Sequence, residues 1–300
     1  MLPLTAWSEQ LQPTADGSYT FFSPEFQETF HSRAGARSEA LEKFVLATDL
    51  VQRAQSDRVV ILDICYGLGY NTAAALEVIW QTNPQCYVTL AGLEIDPSVP
   101  QAALEPQLGS LWPDSVLTVL QGLAYTGSYQ SPRCQATLYW QDARSTIQTL
   151  KSQSFQADVI FLDPFSPRRC PQLWTVEFLS VVAACLAPEG KLSTYCRAAA
   201  VRSALQDVGL TLGTLPVPRP APSHEWAQGT IATHPHTAAA HTLIPLSLAE
   251  VEHLQTRGGI PYRDPDLQAT ASEILGRRSV EQQNSDREST THWRKRWGIE

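Results

Sequence analysis

Four absences bound the reading of this 300-residue chain before any motif is considered. None of its six cysteines (Cys65, Cys86, Cys134, Cys170, Cys185 and Cys196) stands in a Cys-x-x-Cys pair. A zinc site or disulfide framework is therefore not expected, no metal is assigned, and a reducing compartment fits better. Long apolar runs are missing as well. The longest, at 181–187, is far too short to span a bilayer, so no membrane partner is expected. The start, MLPLTAWSEQ, has neither a basic n-region nor an apolar h-region, so no secretory signal is read and a cytoplasmic protein is expected. Internal repeats and low-complexity segments are also lacking, which argues against a repeat architecture.

What is present is ordinary for a globular protein: 43% hydrophobic residues, 17% charged, 21 prolines and 16 glycines. The length suits one large domain, or one domain with a small appendage, able to bury most of its apolar surface without staples. A net charge of −8 argues mildly against a large nucleic-acid surface, because phosphate binding depends on Lys and Arg. Arginines nevertheless gather at Arg168 and Arg169, at Arg277 and Arg278, and around Lys295. A basic patch on an acidic protein can still engage RNA.

Near the N-terminus, Asp16-Gly17 offers a turn between short runs and predicts a small hairpin. Leu41, Phe44, Val45, Thr48 and Val51 recur at helical spacing and predict one amphipathic helix over 36–55. Strand and helix patterns then alternate. Strands are expected at 59–64, 87–95, 137–141, 158–162 and 191–196, and helices at 71–81, after Asp142, at 173–186 and at 199–208. Such alternation implies right-handed crossovers and a mainly parallel, twisted α/β sheet with helices on both faces. Pro216, Pro218, Pro220 and Pro222 read as a stiff linker or loop, followed by a late strand at Gly229–Thr233. Capping boxes at Ser247/Glu250 and Thr270/Glu273 start two C-terminal helices. Beyond Gln282 the tail is polar until a cluster at 292–297, which either binds RNA or docks the tail. The expected organisation is an N-terminal hairpin and helix (1–56), a Rossmann-like domain (57–235) and a C-terminal helical extension with a basic tail (236–300).

Ligands of such sheets bind beyond the carboxyl ends of the strands, near the switch in strand order. Acidic residues stand at or just past those ends: Asp63, Glu94, Asp142 and Asp163. The turn Asp63-Ile-Cys-Tyr-Gly67-Leu-Gly69-Tyr-Asn71 allows a close backbone approach at its glycines, and the following helix presents free N–H groups. Thr72 occupies the place of the third glycine of a dinucleotide fingerprint, which weighs against NAD. Glu94 suits a ribose diol, shared by nicotinamide dinucleotides and S-adenosylmethionine. Asp142, with the small Ala143 beside it, suits an adenine amino group, or else serves as a helix N-cap. Three strand-tip carboxylates taken together favour S-adenosylmethionine.

At this point the residues resemble the methyltransferase domain of MnmC and its stand-alone MnmD-like relatives, which methylate 5-aminomethyluridine-type bases at the tRNA wobble position. The matching stretches are 16–22 with Glu39 onward, 63–71, 138–142, and Phe161-Leu-Asp-Pro-Phe-Ser-Pro167 continuing to Leu173-Trp-Thr175. Residues 194–210 and Gln228-Gly-Thr-Ile-Ala232 match as well. The resemblance covers roughly 15–235. It implies a class I methyltransferase fold and cofactor contacts from Asp63, Gly67, Gly69, Glu94 and Asp142, to which Tyr66, Asn71 and Ala143 are added as neighbours. Asp163 is placed at the reaction centre. Pro164, Phe165, Trp174, Arg168 and Arg169 are candidate substrate contacts: Phe165 and Trp174 stack on the base or pack under the loop, and the arginines meet phosphates or stay solvated. The implied partners are tRNA and the enzymes that make its aminomethyluridine precursor, with the oligomeric state left open. Two departures stand out: Cys65 replaces the usual first glycine of the turn, and Pro164 replaces a glycine after Asp163. No counterpart of the FAD-dependent oxidase module fused to some relatives is seen, so methyl transfer alone is expected. A small-molecule N- or O-methyltransferase on the same fold is the alternative.

Overall fold

The computed structural model describes residues 7–104, 110–215 and 228–299. Pro216, Pro218, Pro220 and Pro222 lie outside the described residues. The strands are β1 (Leu11–Pro13), β2 (Tyr19–Ser23), β3 (Glu28–Thr29), β4 (Arg58–Ile64), β5 (Tyr87–Glu94), β6 (Ser128–Ser131), β7 (Cys134–Trp140), β8 (Ala157–Leu162), β9 (Leu186–Thr194), β10 (Thr211–Leu215) and β11 (Gly229–Thr233). The helices used below are α1 (Ala36–Glu39), α2 (Leu50–Arg53), α3 (Tyr70–Thr82), α4 (Ala143–Ser152), α5 (Val176–Ala184), α6 (Ala199–Asp207), α7 (Leu248–Leu254), α8 (Ala271–Gln283) and α9 (Thr290–Trp297).

One eight-stranded sheet has the order β10-β11-β9-β8-β4-β5-β7-β6. Its five central strands run parallel, and β6, β11 and β10 join antiparallel at the margins. The central strands are apolar on both faces because both faces are covered. Alternation divides them cleanly: Val59, Ile61, Val159 and Phe161 enter one core cluster, while Leu62, Ile64, Ile160 and Leu162 enter the other. From β4 the chain moves to β5 on one side, whereas β8 flanks β4 on the other, so strand order reverses beside β4. A crevice is expected there.

The N-terminal hairpin forms, with β1 and β2 antiparallel around Gly17 at φ +83°. β3 extends it into a three-stranded sheet, which Tyr70 ties to α3: its hydroxyl donates to Tyr19 O at 2.9 Å and accepts from Tyr19 N at 3.2 Å.

The single helix expected over 36–55 is not observed. α1 runs into a π-helix, Ala40–Leu46, and Asp49 adopts a left-handed conformation (φ +57°) before α2. Competing hydroxyls account for the break. Thr48 Oγ1 donates to the carbonyls of Phe44 (2.7 Å) and Val45 (3.1 Å), and Ser193 Oγ donates to Lys43 O. The helix expected over 173–186 is likewise divided. A 3₁₀ turn, Pro171–Trp174, precedes α5, whose N-cap Thr175 accepts from Phe178 N at 3.2 Å, and Leu186 already belongs to β9.

Both capping boxes form, at the starts of α7 and α8. The 292–297 cluster docks the tail: Trp293 is buried and stacks on His253, with ring centroids 4.1 Å apart. No helix among the described residues is long and apolar enough to cross a membrane. The C-terminal helices are anchored by a buried ion pair, Arg202 Nη1 on α6 to Glu250 Oε1 on α7 at 2.8 Å. Removing one partner of such a pair leaves an uncompensated charge. Glu250→Ala should therefore lower unfolding free energy by about 3 kcal/mol in urea titrations; a loss below about 1 kcal/mol would show that the pair does not anchor this segment.

Candidate active site

A cavity of about 1220 Å³ opens beyond the carboxyl ends of the central strands. Cys65 and Gly67 reach it from the turn after β4, Glu94 from the end of β5, Asp142 and Ala143 from the start of α4 beyond β7, Asp163 from just past β8 and Tyr195 from just past β9.

The turn after β4 is clamped to β5. The N–H groups of Cys65 and Tyr66 both donate to Leu93 O, at 3.0 and 2.9 Å, and Gly67 N donates to Glu94 Oε2 at 2.9 Å. This bend places Cys65, Gly67 and Gly69 at φ +67°, +54° and +79°. Glycine suits all three positions, so Cys65 carries the cost of a Cβ in the left-handed region. Gly69 has a further reason: a Cβ there would lie 2.6 Å from the Tyr66 hydroxyl.

Glu94 is held by backbone. Besides Gly67, its Oε1 accepts from Ile95 N (2.7 Å) and Asp96 N (2.9 Å). Burial nevertheless raises its pKa, against the pull of those bonds. Asp142 is both cavity wall and helix N-cap. It accepts from Arg144 N at 2.8 Å and pairs with the Arg144 guanidinium at 2.8 Å. Burial opposes its ionisation, but the bonds from Arg144 hold the carboxyl below its ordinary pKa.

Asp163 sits at the tip of β8, with its N–H on Ile64 O at 3.1 Å. Burial and the negative Glu39 push its carboxyl well above the usual range, while a hydrogen bond from Asn71 and the charge of Lys43 pull the other way. The loop that follows is pinned. Tyr195 Oη donates to Pro164 O and Trp174 Nε1 donates to Phe165 O, each at 2.8 Å. Glu28 accepts from both the N–H (3.0 Å) and the hydroxyl of Ser166.

Several residues assigned to the site from sequence turn elsewhere. Among the cofactor candidates, Gly67, Glu94, Asp142 and Ala143 line the cavity, but Asp63, Tyr66, Gly69 and Asn71 do not. Asp63 is fully buried and accepts from Thr72 Oγ1 at 2.6 Å. Tyr66 is buried as a prop beneath Gly69 and Gly92. Asn71 donates to Asp163 Oδ2 at 2.9 Å. Of the substrate candidates, Pro164 and Phe165 line the cavity. Trp174 is 0% exposed and cannot stack on a base, and Phe165 already stacks against Phe26 with centroids 4.3 Å apart. Arg168 and Arg169 are exposed outside the cavity.

The sequence reading missed the wall contributed by the N-terminal sheet and α1. Phe26, Glu28, Phe30 and His31 line the cavity, as do Glu39 and Lys43, themselves paired at 2.6 Å. Glu39 lay within a stretch matched to the family, but nothing in the pattern gave it a role. Among the described residues, the lining holds seven carboxyl groups (Glu25, Glu28, Glu39, Glu94, Asp96, Asp142 and Asp163) against three basic side chains, Arg33, Lys43 and Arg144. Burial keeps His31 neutral at pH 7 by lowering its pKa to about 4. The surroundings therefore favour a cation.

A family model described as S-adenosyl-L-methionine-dependent methyltransferase matches residues 108–218. The bifunctional protein MnmC of Paraburkholderia phymatum, named for tRNA 5-methylaminomethyl-2-thiouridine biosynthesis, is 29% identical over 210 residues, covering 63% of this chain and 30% of its own length. The crystal structure of MNMC2 from Aquifex aeolicus superposes with a TM-score of 0.76 at 28% identity, covering 92% of this chain and 85% of that one. The chain is thus similar to the methyltransferase part of the MnmC proteins. An uncharacterized protein of Methanocaldococcus jannaschii is 30% identical over 210 residues, 67% of this chain and 54% of the relative. The chain thus spans about half of that relative and about a third of the MnmC proteins.

Asp63 yields a test of the site's electrostatics. Burial lifts its pKa to about 7, the bond from Thr72 lowering it and the charge of Glu94 adding to the rise. A folded-state carboxyl with a raised pKa keeps a proton that the unfolded chain has already released, so stability falls as pH rises from about 4 to about 7. Asp63→Asn should be more stable than the parent at pH 8 and closer to it at pH 4, read from urea midpoints. A pH-independent difference would contradict this assignment.

Proposed function

We propose that this chain transfers a methyl group from S-adenosylmethionine to the aminomethyl group of a modified wobble uridine in tRNA, of the 5-aminomethyl-2-thiouridine type. The observation that carries this reading is the position of Asp163, in the same cavity as Gly67, Glu94 and Asp142 and on a loop pinned from three sides. At about 1220 Å³, the cavity exceeds the roughly 300–1,000 Å³ usual for one small ligand, leaving room for a cofactor and a nucleoside together.

The chain's own residues fit a sulfonium nucleoside. Gly67, Glu94, Asp142 and Ala143 would hold it, and the acid-rich lining complements its positive charge. When bound, it supplies an activated methyl group for in-line displacement. The protein's part is mostly positioning, with the amine held at contact distance and in line. Asp163 orients that amine. The amine must be neutral to attack, and a carboxyl of ordinary acidity would keep it charged. The raised pKa of Asp163 narrows that gap, so the carboxyl accepts a proton from the ammonium and leaves the lone pair free. Phe26, Phe30 and Phe165 form an apolar wall that excludes water from the exchange. Arg168 and Arg169, exposed just past the loop, meet tRNA phosphates.

Three results are expected. Asp163→Ala should lower single-turnover methyl transfer by at least ~100-fold while calorimetric affinity for S-adenosylmethionine stays within a few-fold; full activity in that variant removes the assigned role. The double variant Arg168→Ala/Arg169→Ala should weaken tRNA binding and flatten the dependence of log affinity on log salt by about one per lost phosphate contact, and an unchanged slope excludes these arginines. Nucleoside mass spectrometry of tRNA from cells lacking the protein should show an accumulated unmethylated aminomethyl nucleoside. Unaltered tRNA together with activity on a free amine would favour the small-molecule reading.

A further inference from the structure

Asn71 is the second residue of α3 and is only 3% exposed. Its Nδ2 donates to Asp163 Oδ2 at 2.9 Å, while its Oδ1 is buried without a hydrogen-bond partner among the described residues. Buried acceptors without a partner are uncommon in folded proteins and carry a desolvation cost. The geometry offers a use for this one. An amide presents a donor and an acceptor on the same short arm. Since nothing else bonds Oδ1, a half-turn of the amide would bring it to Asp163 in place of Nδ2.

We infer that Asn71 is a positioning residue for Asp163 in both of its protonation states. With Asp163 ionised, Nδ2 donates to the carboxylate and holds it facing the cavity. When Asp163 takes the proton from the substrate ammonium, the amine becomes neutral and the carboxyl becomes a donor. Asn71 then turns so that Oδ1 accepts the new O–H. The nitrogen lone pair forms the bond to the methyl carbon, the sulfur–methyl bond breaks with its electron pair moving to sulfur, the product leaves as a secondary ammonium, and Asp163 returns its proton to solvent. Throughout, the carboxyl keeps one orientation because its partner matches either state. The other groups facing Asp163 serve this less well: Glu39 and Asp63 are acids, Lys43 is only a donor, the Cys65 thiol is weak as donor and as acceptor, and Tyr195 commits its hydroxyl proton to Pro164 O.

The inference rests on the methyl-transfer reading, so its test includes a measurement on the cofactor-free protein. Asn71→Leu removes both polar atoms at similar size, and Asn71→Ala serves if the leucine variant does not fold; calorimetric binding of S-adenosylmethionine confirms an intact site. Because the bond from Nδ2 to the carboxylate is charge-assisted and stronger than the one Oδ1 makes to the neutral acid, the midpoint of the Asp163 carboxyl, read by carbon-13 NMR, should rise above that of the parent in either variant. The rate of methyl transfer should fall roughly 10- to 100-fold, with the acidic limb of its pH profile displaced upward and KM for tRNA within twofold. An Asp163 midpoint and pH profile identical to the parent's in a folded, cofactor-binding variant would overturn the inference. If the midpoint moves but even the parent methylates no tRNA, the link between Asn71 and Asp163 stands and the proposed substrate fails.

Discussion

Carboxyl groups held away from water at the tips of parallel strands are the constraint on which this structure turns. Glu94 and Asp163 face one cavity and Asp63 lies just beneath it, and burial raises the pKa of all three. The basic side chains at the cavity wall are largely committed already, Lys43 to Glu39 and Arg144 to Asp142 and Asp264. The protein thus holds acid in a place where acid is disfavoured. Backbone N–H groups relieve part of the cost at Glu94, and Thr72 and Asn71 relieve part at Asp63 and Asp163. What remains is an excess of carboxyl groups whose electrostatics suit a cation, such as a sulfonium or an ammonium.

The fold supplies this arrangement with little elaboration. Parallel strands buried on both faces expose polar atoms only at their ends, so the strand tips are where chemistry can reside. The N-terminal sheet then closes the open side. Glu28 grips the Asp163 loop through Ser166, Phe26 stacks on Phe165, and Tyr70 fastens the sheet to the helix that carries Asn71. The loop bearing Asp163 is therefore fixed by groups from β3, from Tyr195 just past β9 and from the 3₁₀ turn before α5, rather than by its own sequence.

Much of this is legible in the chain itself. Apolar runs followed by a first acidic residue mark β4, β5, β7 and β8, and the helices between them force the parallel sheet. What the pattern does not announce is which tip carboxyl turns outward. Glu94 is the last residue of β5, and Asp142 and Asp163 lie beyond the last residues of β7 and β8, so they clear the sheet. Asp63 is one residue short of the end of β4. Period-two alternation sends it to the face that also buries Val59 and Ile61, where Thr72 of α3 meets it. The same rule was available from sequence, since the expected end of this strand coincides with the observed one, but it was not applied to the tip carboxyls. Trp174 stands between two roles in the sequence for a different reason: an aromatic beside such a loop serves equally as a platform or as its floor, and only packing decides for the floor. The wall formed by Phe26, Phe30 and Glu39 depends on a tertiary contact between distant segments, and the π-helix on hydroxyls from Thr48 and from the remote Ser193, neither of which helical periodicity records.

If the cavity's acids await a cation, binding of S-adenosylmethionine must be linked to protons. The decisive measurement is calorimetric titration of the cofactor between pH 6 and pH 8 in buffers of differing ionisation enthalpy. Proton release on binding, with affinity rising as pH rises, is the expected result, since a positive charge beside Glu94 and Asp163 draws their pKa values down. Binding that neither releases protons nor changes with pH across this window would contradict the account.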